Sequence, residues 1–216
     1  MKARSWTTAA DRLLRAGVLA GALAPAVARA GIVHTIPPTP ITATAPDPDS
    51  HAQAPLDINN DGVAEFTIHA YQATGFPWSS FGTYIRADRP GAYFQWEEVL
   101  EPLPAGSMIG PPDDYNFSGR LPFFEWVGIA GDGAWTFNDP PVFFGFRFDV
   151  DGASHFGWAR AQITASTTPR SFSVTVFDYA YESVPGVPIV AGQIPGPGAA
   201  VLLSLASVTA FRRRRA

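Results

Sequence analysis

Proline and glycine punctuate this chain about once every five residues, with 21 prolines and 20 glycines among 216 positions, and helices of ordinary length do not survive that spacing. Short strands joined by many turns do, because turns use the fixed φ of Pro and the positive φ open to Gly. β-Branched and aromatic residues cluster or alternate at Ala64 to Tyr71, Tyr84 to Ile85, Ala92 to Val99, Phe123 to Ile129, Val142 to Phe148, Phe156 to Thr164 and Phe172 to Tyr181. Turn-forming groups such as Arg89-Pro90-Gly91, Gly131-Asp132-Gly133 and Asp149-Val150-Asp151-Gly152 separate them. The expected fold is all-β: an antiparallel, jelly-roll-like β-sandwich over residues 56 to 192. Residues 31 to 55, rich in Pro, Thr, Ala and Asp without apolar periodicity, read as an extended segment leading into it.

The clearest local pattern is a hairpin turning at Asp151-Gly152. Phe144, Phe146 and Phe148 alternate with Gly145, Arg147 and Asp149, and the return run carries Phe156 and Trp158. These five aromatics are expected in the core.

Aromatic residues make up 13% of the chain and charged residues 16%, a balance that folds rather than remaining disordered. The formal charge of −4 conceals an asymmetry, because Lys2, Arg4, Arg12, Arg15 and Arg29 lie at one end and Arg212 to Arg215 at the other. The stretch between them holds six arginines, no lysine and 18 acidic residues, a net charge of −12 that excludes nucleic-acid binding and attracts divalent cations. Cysteine is absent, which removes disulfides and thiolate chemistry.

Both ends carry targeting signals. Basic residues precede the apolar run Ala16 to Ala24, and Ala28-Arg29-Ala30 supplies small residues at −3 and −1, so residues 1 to 30 read as a signal peptide cut before Gly31. At the other end, Pro195-Gly196-Pro197-Gly198 leads into the uncharged run Ala199 to Phe211 and then four arginines. Thirteen helical residues rise about 20 Å, short of a hydrocarbon core of roughly 30 Å, and the arginines would hold the terminus inside the cell. This arrangement over residues 193 to 216 resembles the PEP-CTERM sorting tail, with Pro-Gly-Pro standing where that family has Pro-Glu-Pro. The stretch Phe144 to Gly192 likewise resembles the end of many secreted PEP-CTERM proteins. The resemblance implies a C-terminal transmembrane sorting helix, exosortase-type machinery as a partner, and delivery to the cell envelope, outer surface or an extracellular polysaccharide matrix.

The sharpest chemical motif is Asp57-Ile58-Asn59-Asn60-Asp61-Gly62-Val63-Ala64-Glu65. Oxygen-bearing side chains at positions 1, 3, 5 and 9, with Gly at 6, suit calcium, the ligands being Asp57, Asn59, Asp61, Glu65 and the carbonyl of Val63. Position 12 is Ile68 and a strand follows, so the motif is not an EF-hand. It is similar to the calcium loops of integrin-type repeats and dockerin-like segments, and the alternative reading is a metal-free Asn/Asp/Gly turn.

Catalytic spacing is missing. His34, His51, His69 and His155 are scattered, and no Gly-x-Ser-x-Gly elbow occurs. The expected function is therefore that of a non-enzymatic envelope or matrix protein stabilised by calcium. A carbohydrate-binding module would use Trp78, Trp96, Trp126 and Trp135 as a stacking platform, and a glycoside hydrolase would need facing carboxylates from Glu97-Glu98, Asp113-Asp114 or Asp149 and Asp151. Intact-mass measurement of the exported protein is expected to give a chain beginning at Gly31 and, after sorting, ending near Pro195. A mass retaining residues 1 to 30 refutes export, and one retaining Ala199 to Ala216 favours a plain anchor.

Overall fold

The computed structural model describes residues 31–74, 80–95, 100–111, 115–117, 120–127, 130–132, 134–167 and 170–196. The expected signal segment, the run Ala199 to Phe211, its arginines, and Trp78, Trp96, Glu97, Glu98, Asp113 and Asp114 lie outside them. Among the described residues the chain is all-β, and no helix is long and apolar enough to cross a membrane.

The strands in order are β1 (Ile32–Thr35), β2 (Ile41–Ala45), β3 (His51–Leu56), β4 (Phe66–Ala73), β5 (Ser80–Ala87), β6 (Phe94–Gln95) and β7 (Met108–Ile109). There follow β8 (Tyr115–Phe117), β9 (Arg120–Val127), β10 (Ala130–Asp132), β11 (Val142–Val150), β12 (Ala153–Thr167), β13 (Arg170–Glu182) and β14 (Ile189–Val190). All pairings are antiparallel. One sheet runs β1-β13-β12-β11 with β2 also on β13, the other runs β10-β9-β5-β4-β3, and β14-β7 and β6-β8 form small two-stranded pairs. The order departs from the jelly-roll-like interleaving expected. Most neighbours in each large sheet are successive hairpins, but β5 and β9 pair across the intervening β6 to β8, and β1 and β2 cross over to join β13.

Residues 31 to 55 are not an approach segment but contribute β1, β2 and β3, so paired structure begins at Ile32. Thr42 and Thr44 of β2 face solvent while Ala43 and Ala45 are buried, and alanines this small leave no hydrophobic signature in the sequence. Pro55 is accommodated because β3 is the terminal strand of its sheet, where a missing N–H costs no ladder bond.

Among the described residues, the larger of two hydrophobic clusters lies between the two large sheets. β4 contributes Phe66, Ile68 and Ala70, β11 contributes Phe144, Phe146 and Phe148, and β13 contributes Val174, Val176 and Tyr179. The predicted core aromatics are all buried, although Phe156 and Trp158 belong to a second cluster with Ile109, Ala180 and Ile189. The predicted turn is present: Val150 pairs with Ala153, and Asp151 and Gly152 have φ of 52° and 79°, the positive values a two-residue hairpin requires.

Gly157 shows how tightly this core is set. It lies opposite Phe146, and a Cβ there would meet the Phe146 ring at 2.3 Å and the Ala180 carbonyl oxygen at 2.7 Å. Gly157→Ala is expected to lower the stability by about 1–3 kcal/mol, read as a shift in urea midpoint at constant slope. Gly196→Ala, where nothing lies within 4 Å, is expected to leave the midpoint unchanged.

Candidate functional site

The motif Asp57 to Glu65 is the connection from β3 to β4, and its side chains close it on itself. Asn60 and Gly62 take positive φ of 60° and 88°, conformations open to Asn and Gly. Asp57 accepts the amides of Asp61 and Gly62 at 3.2 and 2.8 Å, Asn59 Oδ1 accepts Asp61 N at 3.0 Å, and Asp61 Oδ1 accepts Val63 N at 2.8 Å. Glu65 is only 1% exposed, and its Oε2 accepts the Ile58 amide at 2.7 Å, while the Ile58 side chain is itself in the core. From the opposite sheet, Tyr179 donates its hydroxyl to the Asp57 carbonyl at 3.0 Å.

Of the five predicted ligands, Asp57, Asp61 and Glu65 come together, each offering an oxygen within 4.8 Å of the others. Asn59 lies against this group by donating Nδ2 to Asp61 Oδ2 at 3.1 Å. Val63 enters through its amide and exposes its side chain.

Sequence reasoning passed over Arg89. Its Nη1 donates to Asp61 Oδ2 and to Glu65 Oε1, both at 2.8 Å. The signal lay in the hairpin register: Phe66 pairs with Ala87, so the residues just past β5 sit beside those just before β4. Hydrogen bonds from Arg89 and from the Val63 amide hold the Asp61 carboxyl below the usual carboxylate range, and both acids hold the Arg89 pKa up. Burial pushes Glu65 upward, opposed by the Ile58 amide and Arg89. Three carboxylates thus face one guanidinium. Hard oxygen donors carrying uncompensated negative charge match what a calcium ion selects, and such an ion would compete with Arg89 for Asp61 and Glu65.

The histidines are less scattered than their spacing implied. His51 Nε2 and His69 Nδ1 lie 3.0 Å apart across β3 and β4, and their rings stack at 5.2 Å. Tyr84 of β5 stacks on His69 at 4.3 Å, and the Arg120 guanidinium of β9 covers Tyr84 at 4.0 Å. Four planar groups from four neighbouring strands therefore form one ladder on this face, beside an open cavity of about 540 Å³ that Asp49, Tyr71 and Ser80 also line.

The alternatives fare unevenly. Trp135 is buried and bonds the Leu100 carbonyl through Nε1, so it belongs to the core and not to a stacking platform. Trp126 lies on β9, and its side chain is outside the described residues. Asp149 flanks the hairpin turn and accepts from Ser154 Oγ at 2.7 Å.

His69 sets a pH dependence. Burial, then the charge of Arg86, pushes its pKa down to about 4. The unfolded chain takes up this proton near pH 6.5 and the folded one near 4, so the unfolded state holds more protons between those values and stability falls as pH drops through them. The loss amounts to about 3 kcal/mol at the acid end. His69→Phe is expected to remove that component, measured as the difference between the two proteins' urea midpoints from pH 7 to 4. Parallel curves would show that His69 does not titrate.

Compared with known proteins, the chain matches no protein-family model, no curated protein and no solved structure.

Proposed function

We propose that this is an exported, non-enzymatic protein of the cell envelope or extracellular matrix, displaying a β-sandwich whose β3–β4 loop is clamped by calcium. The convergence of Asp57, Asp61 and Glu65 oxygens within 4.8 Å carries the calcium part of this reading. Asp57, Asp61 and Glu65 would hold the ion with the Asn59 amide oxygen and the Val63 carbonyl beside them. The ion would supply charge neutralisation and no chemistry. Because Ile58 is buried and Tyr179 bonds the Asp57 carbonyl, fixing the loop ties both sheets together.

Export rests on the two ends of the sequence: a signal peptide over residues 1 to 30, and a tail over 193 to 216 sorted by exosortase-type machinery at the membrane. Extracellular polysaccharide is the proposed surrounding. A cysteine-free chain displayed outside the cell gains from a cation what other exported domains gain from disulfides, and weak sites suffice in a calcium-rich medium.

Calcium binding only to the folded state raises stability by RT ln(1 + [L]/Kd), about 2.7 kcal/mol for a Kd of about 0.1 mM at about 10 mM calcium. The expected outcome is a melting temperature several degrees higher with calcium than with chelator, magnesium doing less, and loss of the difference in Asp61→Asn. Equal melting curves with calcium and chelator would reduce the loop to a turn held by Arg89.

A further inference from the structure

Three carboxylate residues are buried among the described residues: Glu65, Asp178 and Glu182, at 1%, 8% and 5% exposure. Two of them have cations. Glu65 takes Arg89 at 2.8 Å, and Asp178 takes Arg160 Nε at 2.7 Å, with the His34 ring as a further hydrogen-bond partner at 3.2 Å. Glu182 has backbone partners instead: its Oε1 accepts the Gly31 nitrogen and the Val184 amide, each at 2.9 Å. Gly31 is the residue at which the sequence places signal-peptide cleavage.

We infer that Glu182 is a receptor for the α-ammonium group that cleavage creates at Gly31, so that processing itself supplies the counter-ion of a buried carboxylate. The inference rests on the export reading for its source of a free N-terminus. Before cleavage the Gly31 nitrogen is an amide with one proton and no charge. An endopeptidase adding water across the Ala30–Gly31 bond leaves a carboxylate on Ala30 and an ammonium group, with three protons, on Gly31. The same 2.9 Å contact then becomes a charge-assisted hydrogen bond, the stronger kind. A buried carboxylate lacking a cation is strongly destabilising, and the ammonium removes that deficit.

The surrounding backbone holds the terminus in place. Gly31 O accepts the Ser183 amide at 2.9 Å, and the next residue, Ile32, is paired with Glu182 in the β1–β13 ladder. The carboxylate and the nitrogen are therefore brought together by strand pairing, not by a flexible side chain reaching outward. No lysine occurs between Gly31 and Ala210, so within the exported stretch this α-ammonium is the one amine available.

The test compares chains ending at Ala216 whose N-terminus is set by a specific protease acting on a removable leader. One begins at Gly31, one retains Ala30 ahead of it, and both are made also with Glu182→Gln. Retaining Ala30 is expected to lower the melting temperature by roughly 5 °C when Glu182 is present and to have little effect with Glu182→Gln. An extension that costs nothing, or costs the same in both backgrounds, overturns the proposal.

A second readout survives if the Gln variant folds poorly. The Gly31 amine of the folded chain is expected to acylate at neutral pH about tenfold more slowly than in denaturant, the factor produced by one pKa unit of ammonium stabilisation. Equal rates overturn the proposal as well. Because the protease fixes the terminus, these outcomes do not depend on cellular processing. N-terminal sequencing of the exported protein tests that separately, and a start other than Gly31 refutes the processing step alone.

Discussion

The register shift at Phe177 is the constraint on which the rest of the architecture depends. Arg160 pairs with Asp178 and the next residue, Ala161, pairs with Val176, so Phe177 has no opposite number on β12. One extra residue reverses which side chains face inward. Before it, Phe172, Val174 and Val176 are buried. After it, Tyr179 and Tyr181 pack against the same core, while Ala180 turns to the second cluster on the outer face. The N-terminal segment breaks at the same level. β2 pairs with residues 172–176, β1 pairs with residues 179–182, and Ile36 to Pro40 cross the gap between them. Without the shift, Tyr179 would point away from the β3–β4 loop and Glu182 away from Gly31.

That single irregularity therefore links two places where charge is handled. Tyr179 reaches the loop backbone at Asp57, and burial together with the Asp57 charge holds its hydroxyl protonated to higher pH than an ordinary phenol. The loop's acids are in turn joined to β5 through Arg89 and through the Asp88 amide, which donates to the Glu65 carbonyl at 2.9 Å. An arginine suits this position because its planar guanidinium presents several donors at once. It leaves three carboxylates facing one positive charge, which is the residual imbalance a divalent ion would meet.

What the sequence made legible follows from which physical signals are local. The Asp151-Gly152 hairpin and the β11 aromatics could be read because alternation and turn chemistry act over a few residues. The carboxylates of the Asp57 loop could be read for the same reason. β1, β2 and β3 could not, because Thr-Ala alternation buries only methyl groups and the prolines around it imitate a linker. Arg89, the stacking of His51 on His69, and Glu182 against Gly31 all join residues 18 to 151 positions apart. Those contacts depend on strand register, and register is set by the whole sheet.

The use of cations in the stretch from Gly31 to Phe211 shows why these contacts matter together. Each of its six arginines is already engaged: Arg86, Arg89 and Arg160 pair with carboxylates, while Arg120, Arg147 and Arg170 lie over the rings of Tyr84, Tyr93 and Phe81 at 4.0, 4.1 and 4.7 Å. Arginine does this better than lysine, since a weakly hydrated plane can cover an aromatic face. Three of the six positive side chains thus cover aromatic surface. Asp88, Asp61, Glu65 and Asp178 take the three carboxylate-bound arginines, and acidic residues outnumber arginines in this stretch by 18 to six. A stretch with this charge distribution resists compaction most in dilute salt, where the Debye length is longest, and least in a medium rich in divalent ions. At the β3–β4 loop three carboxylates meet one guanidinium, and at Glu182 a buried carboxylate meets backbone nitrogens, so in both places strand register sets down negative charge that the arginines do not match.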